Sequence, residues 1–162
     1  MTLCRLTAMV VSVVLGLSLA GAAGAAPHCP PTNSTVGKLA VSVTNAMRHA
    51  QGLPAVSLHP ALNRAAAAHA CEMARQGRLT HRGSMSSGPA NRVKQAGYAP
   101  SRTAENIAAG PFSLRGVLQA WQQSRGHRKN VMMRQAQHFG LGQAVGADGK
   151  TIYWAAVYAA PR

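Results

Sequence analysis

The chain has 162 residues, enough for one domain, of which 47% are hydrophobic but only 4% aromatic. Its 17 Lys and Arg stand against 3 acidic residues, Glu72, Glu105 and Asp148, for a net charge of +14 with histidine neutral. Such a charge favours anionic partners, yet the cations are scattered and no aromatic residue interleaves with them, which argues against a base-stacking nucleic-acid surface.

Residues 1–25 read as a secretory signal peptide: Arg5, then an almost wholly apolar run from Leu6 to Ala20, then Ala23-Gly24-Ala25 as an A-x-A cleavage site. The run is short for a membrane span, with an uncleaved anchor as the alternative. The mature protein is therefore expected to be secreted or periplasmic, monomeric, and without a transmembrane segment. Beyond Cys4 only Cys29 and Cys71 remain. In an oxidising compartment they suggest one disulfide, tying the N-terminal tail to a helix interior, with two unrelated thiols as the alternative.

Residues 26–36, containing "PHCPPT", form an extended leader, and 37–162 form the folded domain. Val36, Leu39, Val43, Ala46 and Met47 recur at helical spacing and predict an amphipathic helix from Ser34 to His49. A second helix is predicted over Pro60 to Arg78, with Pro60 at its first position and Gly77 at its end. Leu62, Ala66, His69 and Met73 make its apolar stripe, and its alanines permit close packing. The Gly/Ser-rich "THRGSMSSGP" is a loop with His81 near its start, and a short helix follows over Ala90 to Ala96. "TAENIAAG" reads as a short buried strand holding Glu105. Ser113 caps a helix running to Gln123, with Leu114, Val117, Leu118 and Trp121 on one face. "SRGHRKNVM" is a turn with a short helical segment. "FGLGQAVG" and "TIYWAAVYA" form a hairpin across Ala147-Asp148-Gly149-Lys150, whose Asp-Gly pair is the turn signal. This order predicts an α+β domain with an antiparallel sheet rather than a doubly wound parallel one.

His81, Glu105 and His127 each fall at the border of a regular element, where side chains converge on clefts. Two imidazoles and a carboxylate can begin a zinc shell or act as an acid/base set. The competing structural reading pairs Glu105 with a nearby Arg or a backbone amide. His69 is expected as a packed, hydrogen-bonded core residue, and His28, His49, His59 and His138 as surface or turn residues. Asn106 and Asn130 are expected to satisfy loop backbone groups.

The segments "LTHRG", "AENIAAG" and "AWQQSRGHRKNVM", with "NRVKQAGY" and the terminal "YWAAVYA", resemble the signatures of the CAP superfamily (SCP/TAPS; cysteine-rich secretory, antigen 5 and pathogenesis-related 1 proteins). The likeness runs from Lys38 to Tyr158 and is closest to short bacterial members. It implies a three-layer α-β-α sandwich with a central antiparallel sheet and a cavity carrying His81, Glu105 and His127, flanked by Asn106 and Ser124. Where animal and plant members carry a second cavity glutamate this chain has Ser124, and Ala104 replaces the glycine before the Glu-Asn pair.

The resemblance implies an exported, non-catalytic binding module. Its expected metal is zinc, on His81, His127 and Glu105, and its expected ligand a lipid, sterol or anionic cell-envelope component. One alternative is a metal-dependent hydrolase or peptidase using Glu105 and His127. Another is a cationic adhesin for anionic polymers. A Ser124 nucleophile lacks a G-x-S-x-G elbow.

Overall fold

The structure, a computed structural model, describes residues 25–162; the apolar leader and nearly all of the expected cleavage site lie outside the described residues. Helix α1 (Ser34–His49) begins where the Asn33 side chain accepts the Thr35 N–H, and α2 (Pro60–Gln76) where His59 Nδ1 accepts the Ala61 N–H. Gly77, at φ 60°, ends α2 in the left-handed region that the sequence marked. Helix α3 (Pro89–Gln95) follows, then α4 (Leu114–Gln123), capped by Ser113 on the Gly116 N–H, and α5 (Arg125–Val131).

Strands β2 (Pro100–Gly110), β3 (His138–Val145) and β4 (Ile152–Pro161) pair antiparallel, with β4 in the middle. A two-residue strand, β1 (Ser57–Leu58), adds to the far side of β3 in parallel, giving the order β1-β3-β4-β2. The sheet is thus antiparallel except at that edge, and β2 is longer than the short strand expected around Glu105. It pairs with β4 from Pro100 opposite Pro161 to Gly110 opposite Ile152, because β4 supplies an unbroken apolar partner.

The layers follow from strand alternation. Tyr153, Ala155, Val157 and Ala159 of β4 pack under α2 and α3, while Trp154, Ala156 and Tyr158 pack under α1, α4 and α5. This is an α-β-α sandwich whose central strand is buried on both faces.

The buried face of α1 differs from the one periodicity predicts. Its buried residues are Gly37, Ala40, Thr44, Met47 and Arg48, and Leu39 is 48% exposed. The helix is turned about one residue from the expected stripe. Gly37 lets it approach Leu58, whose Cδ1 lies 3.2 Å from where a Cβ would stand, and Arg48 is drawn inward by carbonyls.

Helix α2 lies directly on β3. A Cβ on Gly142 would come within 2.2 Å of the Ala67 backbone nitrogen, and one on Gly140 within 2.2 Å of the Leu62 backbone carbon. Rigid backbone cannot yield as a side chain would, so Gly142→Ala is expected to cost about 3 kcal/mol. Urea denaturation measures it, and a loss below about 1 kcal/mol would mean that the helix lifts freely.

Cys29 and Cys71 form a disulfide, as the export reading suggested. His28 exchanges both backbone hydrogen bonds with Val145, so the tail is fastened to β3 as well as to α2. His59 and His138, expected as surface or turn residues, form one cluster with the buried Tyr98. The Tyr98 hydroxyl lies 2.8 Å from His138 Nδ1, and the two imidazole centroids are 5.0 Å apart.

Candidate functional site

Glu105 and Asn106 are neighbours in β2, the open edge strand, so their side chains leave opposite faces of the sheet. Glu105 turns toward the α2–α3 layer. Its Oε2 accepts from Arg92 of α3 at 2.5 Å, and its Oε1 lies 2.9 Å from His81 Nδ1. Asn106 turns toward α5, where its amide donates to the His127 carbonyl at 3.1 Å. The loop after α2 and helix α5 thus deliver His81 and His127 from the two layers to the same sheet edge.

That edge is closed by side chains, which is how an exposed row of strand carbonyls is managed. Asn130 Nδ2 donates to the Glu105 carbonyl at 2.9 Å and to Asn106 Oδ1 at 2.8 Å, and Trp121 Nε1 donates to the Ile107 carbonyl. Asn106 and Asn130 therefore satisfy backbone carbonyls, but of helix α5 and strand β2 rather than of the loops expected.

The Glu105 carboxylate is buried. The sequence posed a choice between an Arg partner and a site role; the structure gives Glu105 both contacts at once. Arg92 was not foreseen. It also donates to the His81 carbonyl at 3.0 Å and to Ser86 Oγ at 2.9 Å, holding the loop that carries His81. Its only signal in the sequence is its place beside Val93, the apolar anchor of a short helix.

His69 is fully buried, with Nε2 2.8 Å from the Thr80 carbonyl and 3.8 Å from Glu105 Oε1. A carbonyl partner requires the proton on Nε2. Burial holds the His69 pKa below the usual histidine range, against the raising pull of Glu105. His69 is a core histidine, and it fixes Thr80, one residue before His81.

A carboxylate partner likewise places the proton of neutral His81 on Nδ1, leaving Nε2 as a lone pair. The His81 side chain is 54% exposed. His127 is half-buried, and its pKa is lowered first by burial and then by the charge of His81 close by. The site thus brings two imidazoles to the sheet edge, one of them against a buried carboxylate. Among the described residues no group of three His, Cys, Asp or Glu side chains could hold a metal ion. Ser124 caps neither α4 nor α5 through its side chain, and its hydroxyl makes no hydrogen bond to His127 among the described residues. Behind this network, a cavity of about 380 Å³ lies on the α2–α3 side, with His69, Glu72, Arg92 and Met85 in its walls; His81 and His127 do not line it.

The sequence model of the CAP family, described as the cysteine-rich secretory protein family, matches residues 41–158. YkwD of Bacillus subtilis (strain 168) is 32% identical over 113 residues, covering 70% of this chain and 44% of that protein. The chain spans less than half the length of that curated relative. An outer surface protein from Borrelia burgdorferi superposes with a TM-score of 0.72 at 18% identity, over 81% of this chain and 96% of that one. An extracellular protein containing an SCP domain, from Bacillus anthracis str. Ames, superposes with a TM-score of 0.69 at 23% identity, over 78% of this chain and 40% of that one.

Proposed function

Since the chain belongs to the CAP (cysteine-rich secretory protein) family, we propose that it is an exported, non-catalytic binding module whose His81 and His127 imidazoles weakly anchor a zinc ion. The ligand class that goes with this reading is a lipid or another cell-envelope component. The observation that carries the reading is the commitment of Glu105: one oxygen faces His81 Nδ1 and the other accepts from Arg92. A buried carboxylate so engaged orients an imidazole; it is not placed to take a proton from an attacking water. That weighs against the hydrolase alternative.

The donor chemistry fits zinc held by two nitrogens, with Glu105 standing behind His81 as carboxylates stand behind metal-bound histidines. Two protein ligands are fewer than the four of a structural site or the three of a catalytic one, which is why the binding is weak. When bound, zinc would supply a Lewis-acid point for an acceptor atom of the ligand. The chain's own residues do the rest: Arg92 neutralises Glu105, Asn106 and Asn130 hold α5 against the strand, and His127 keeps its lone pair available below the usual histidine pKa.

Calorimetric titration of tag-free protein with zinc tests this. Heat is expected near neutral pH, absent in His127→Ala and in His81→Ala, with Glu105→Gln weakened about 10–100-fold. Affinity should fall as the pH is lowered, because protons compete with the metal for the imidazole nitrogens. Equal heats in wild type and both alanine variants would place the ion elsewhere and end the proposal.

A further inference from the structure

All three carboxylate side chains of the sequence are consumed internally. Glu105 is taken by His81 and Arg92, Glu72 by the Ser84 N–H and Gln76, and Asp148 by Thr151 and the Lys150 N–H. Arg92 is accordingly the only Lys or Arg in an ion pair among the described residues. No acid side chain is left to compensate any other cation, so what matters is where the cations concentrate.

Helix α5 concentrates them by its periodicity. His127, Asn130 and Val131 turn inward, to the site and the core. Arg125, Arg128, Lys129 and Met132 recur at i, i+3, i+4 and i+7, one helical face, and together with Gln123 they wall a cavity of about 350 Å³. The three cations are exposed and Met132 is half-buried. The segment "RGHRKNVM" therefore has two faces, and the reading of the site uses only the inner one.

We infer that the outer face of α5 docks the protein onto a membrane surface, with Arg125, Arg128 and Lys129 on the phosphate groups of anionic lipid headgroups. Three exposed cations hold a lone phosphate poorly in physiological salt, where charges beyond about 8 Å are screened. A surface dense in phosphates engages all three together, and each adds to the attraction. Met132 packs in part against the core. The part of it left in the cavity wall adds a small apolar contact that a bilayer interface can take up and a hydrated soluble polyanion cannot. The inference needs neither zinc nor a ligand at His81 and His127, neither of which lines this cavity.

The test measures binding of the protein to vesicles of phosphatidylcholine with and without phosphatidylglycerol, in about 0.15 M salt. The triple variant R125Q/R128Q/K129Q is compared with R75Q/R78Q/K94Q, which removes the same charge from exposed positions of the α2–α3 layer. Wild type is expected to bind only the phosphatidylglycerol vesicles. The α5 variant should lose about 100-fold in affinity, while the α2–α3 variant stays within a few-fold of wild type, with thermal melting confirming that both fold. Equal losses in the two variants would show diffuse charge attraction and overturn the assignment. So would displacement from vesicles by millimolar inorganic phosphate, or tighter binding to soluble polyphosphate than to vesicles. Zinc calorimetry on the α5 variant should match wild type, which keeps this result separate from the fate of the metal site.

Discussion

Replacing Arg48 with methionine is expected to cost on the order of 5 kcal/mol, a large part of the stability of a domain this size. Arg48 is fully buried, yet no carboxylate pairs with it. Its guanidinium instead donates to four carbonyls: Nε to Pro54 at 2.8 Å, Nη1 to Val131 at 2.7 Å and Met133 at 3.0 Å, and Nη2 to Ala136 at 3.3 Å. Burial lowers its pKa from the ordinary arginine value, the direction desolvation demands of a cation. Methionine fills the volume but strands these acceptors, at about 1–3 kcal/mol for each one left dry. Arg48→Lys should recover less than half of the loss, because an ammonium cannot reproduce a planar fork spread over carbonyls from separate loops. Val131, Met133 and Ala136 follow His127 in the chain, so hydrogen exchange of the α5–β3 connection should accelerate in the methionine variant. Denaturant unfolding gives the energy, and a loss under about 1 kcal/mol would mean that the four carbonyls find water without cost.

The second large effect is expected at the Arg92–Glu105 pair, buried on both sides. Arg92→Met leaves the carboxylate without its cation and should destabilise by about 3–5 kcal/mol. Glu105→Gln removes the charge itself, so the double variant Arg92→Met/Glu105→Gln should be more stable than the two single losses added together, by at least about 1 kcal/mol. Simple additivity would show that the two side chains do not interact as a buried pair. Because Arg92 also holds the His81 carbonyl and Ser86 Oγ, the single variant should further loosen the loop that carries His81.

Acid should act in one direction on this fold. His59, His69 and His127 all have lowered pKa values with burial as the largest cause. The unfolded chain therefore binds more protons than the folded one below about pH 6.5, and the stability present at neutral pH is lost progressively as pH falls through the folded values.

How much of this was legible in the sequence depends on the kind of signal. Helix ends were, because caps and breakers act locally: Ser113, Pro60, Gly77 and the Asp148-Gly149 turn are all where they were expected. The segments around His81, Glu105 and His127 were also legible, through their family likeness. Periodicity was less dependable where partners differ in kind. It assigned Leu39 to the core of α1 and passed over Arg48, because an arginine reads as surface until carbonyls from another loop are found to surround it.

By itself the sequence determined the helices and the three antiparallel strands in their order, the disulfide-competent cysteines and the α+β class, since each rests on contacts between near neighbours or on residue type. It did not determine the edge strand β1 or the full length of β2. Only the tertiary structure decided that Glu105 and Asn106 serve opposite layers, that Arg92 neutralises one and Asn130 bridges the other to α5, and that Arg48 is buried. Those outcomes depend on which distant backbone and side-chain groups arrive at one sheet edge or one core position, and a burial energy set by such arrivals leaves no periodic trace in the chain.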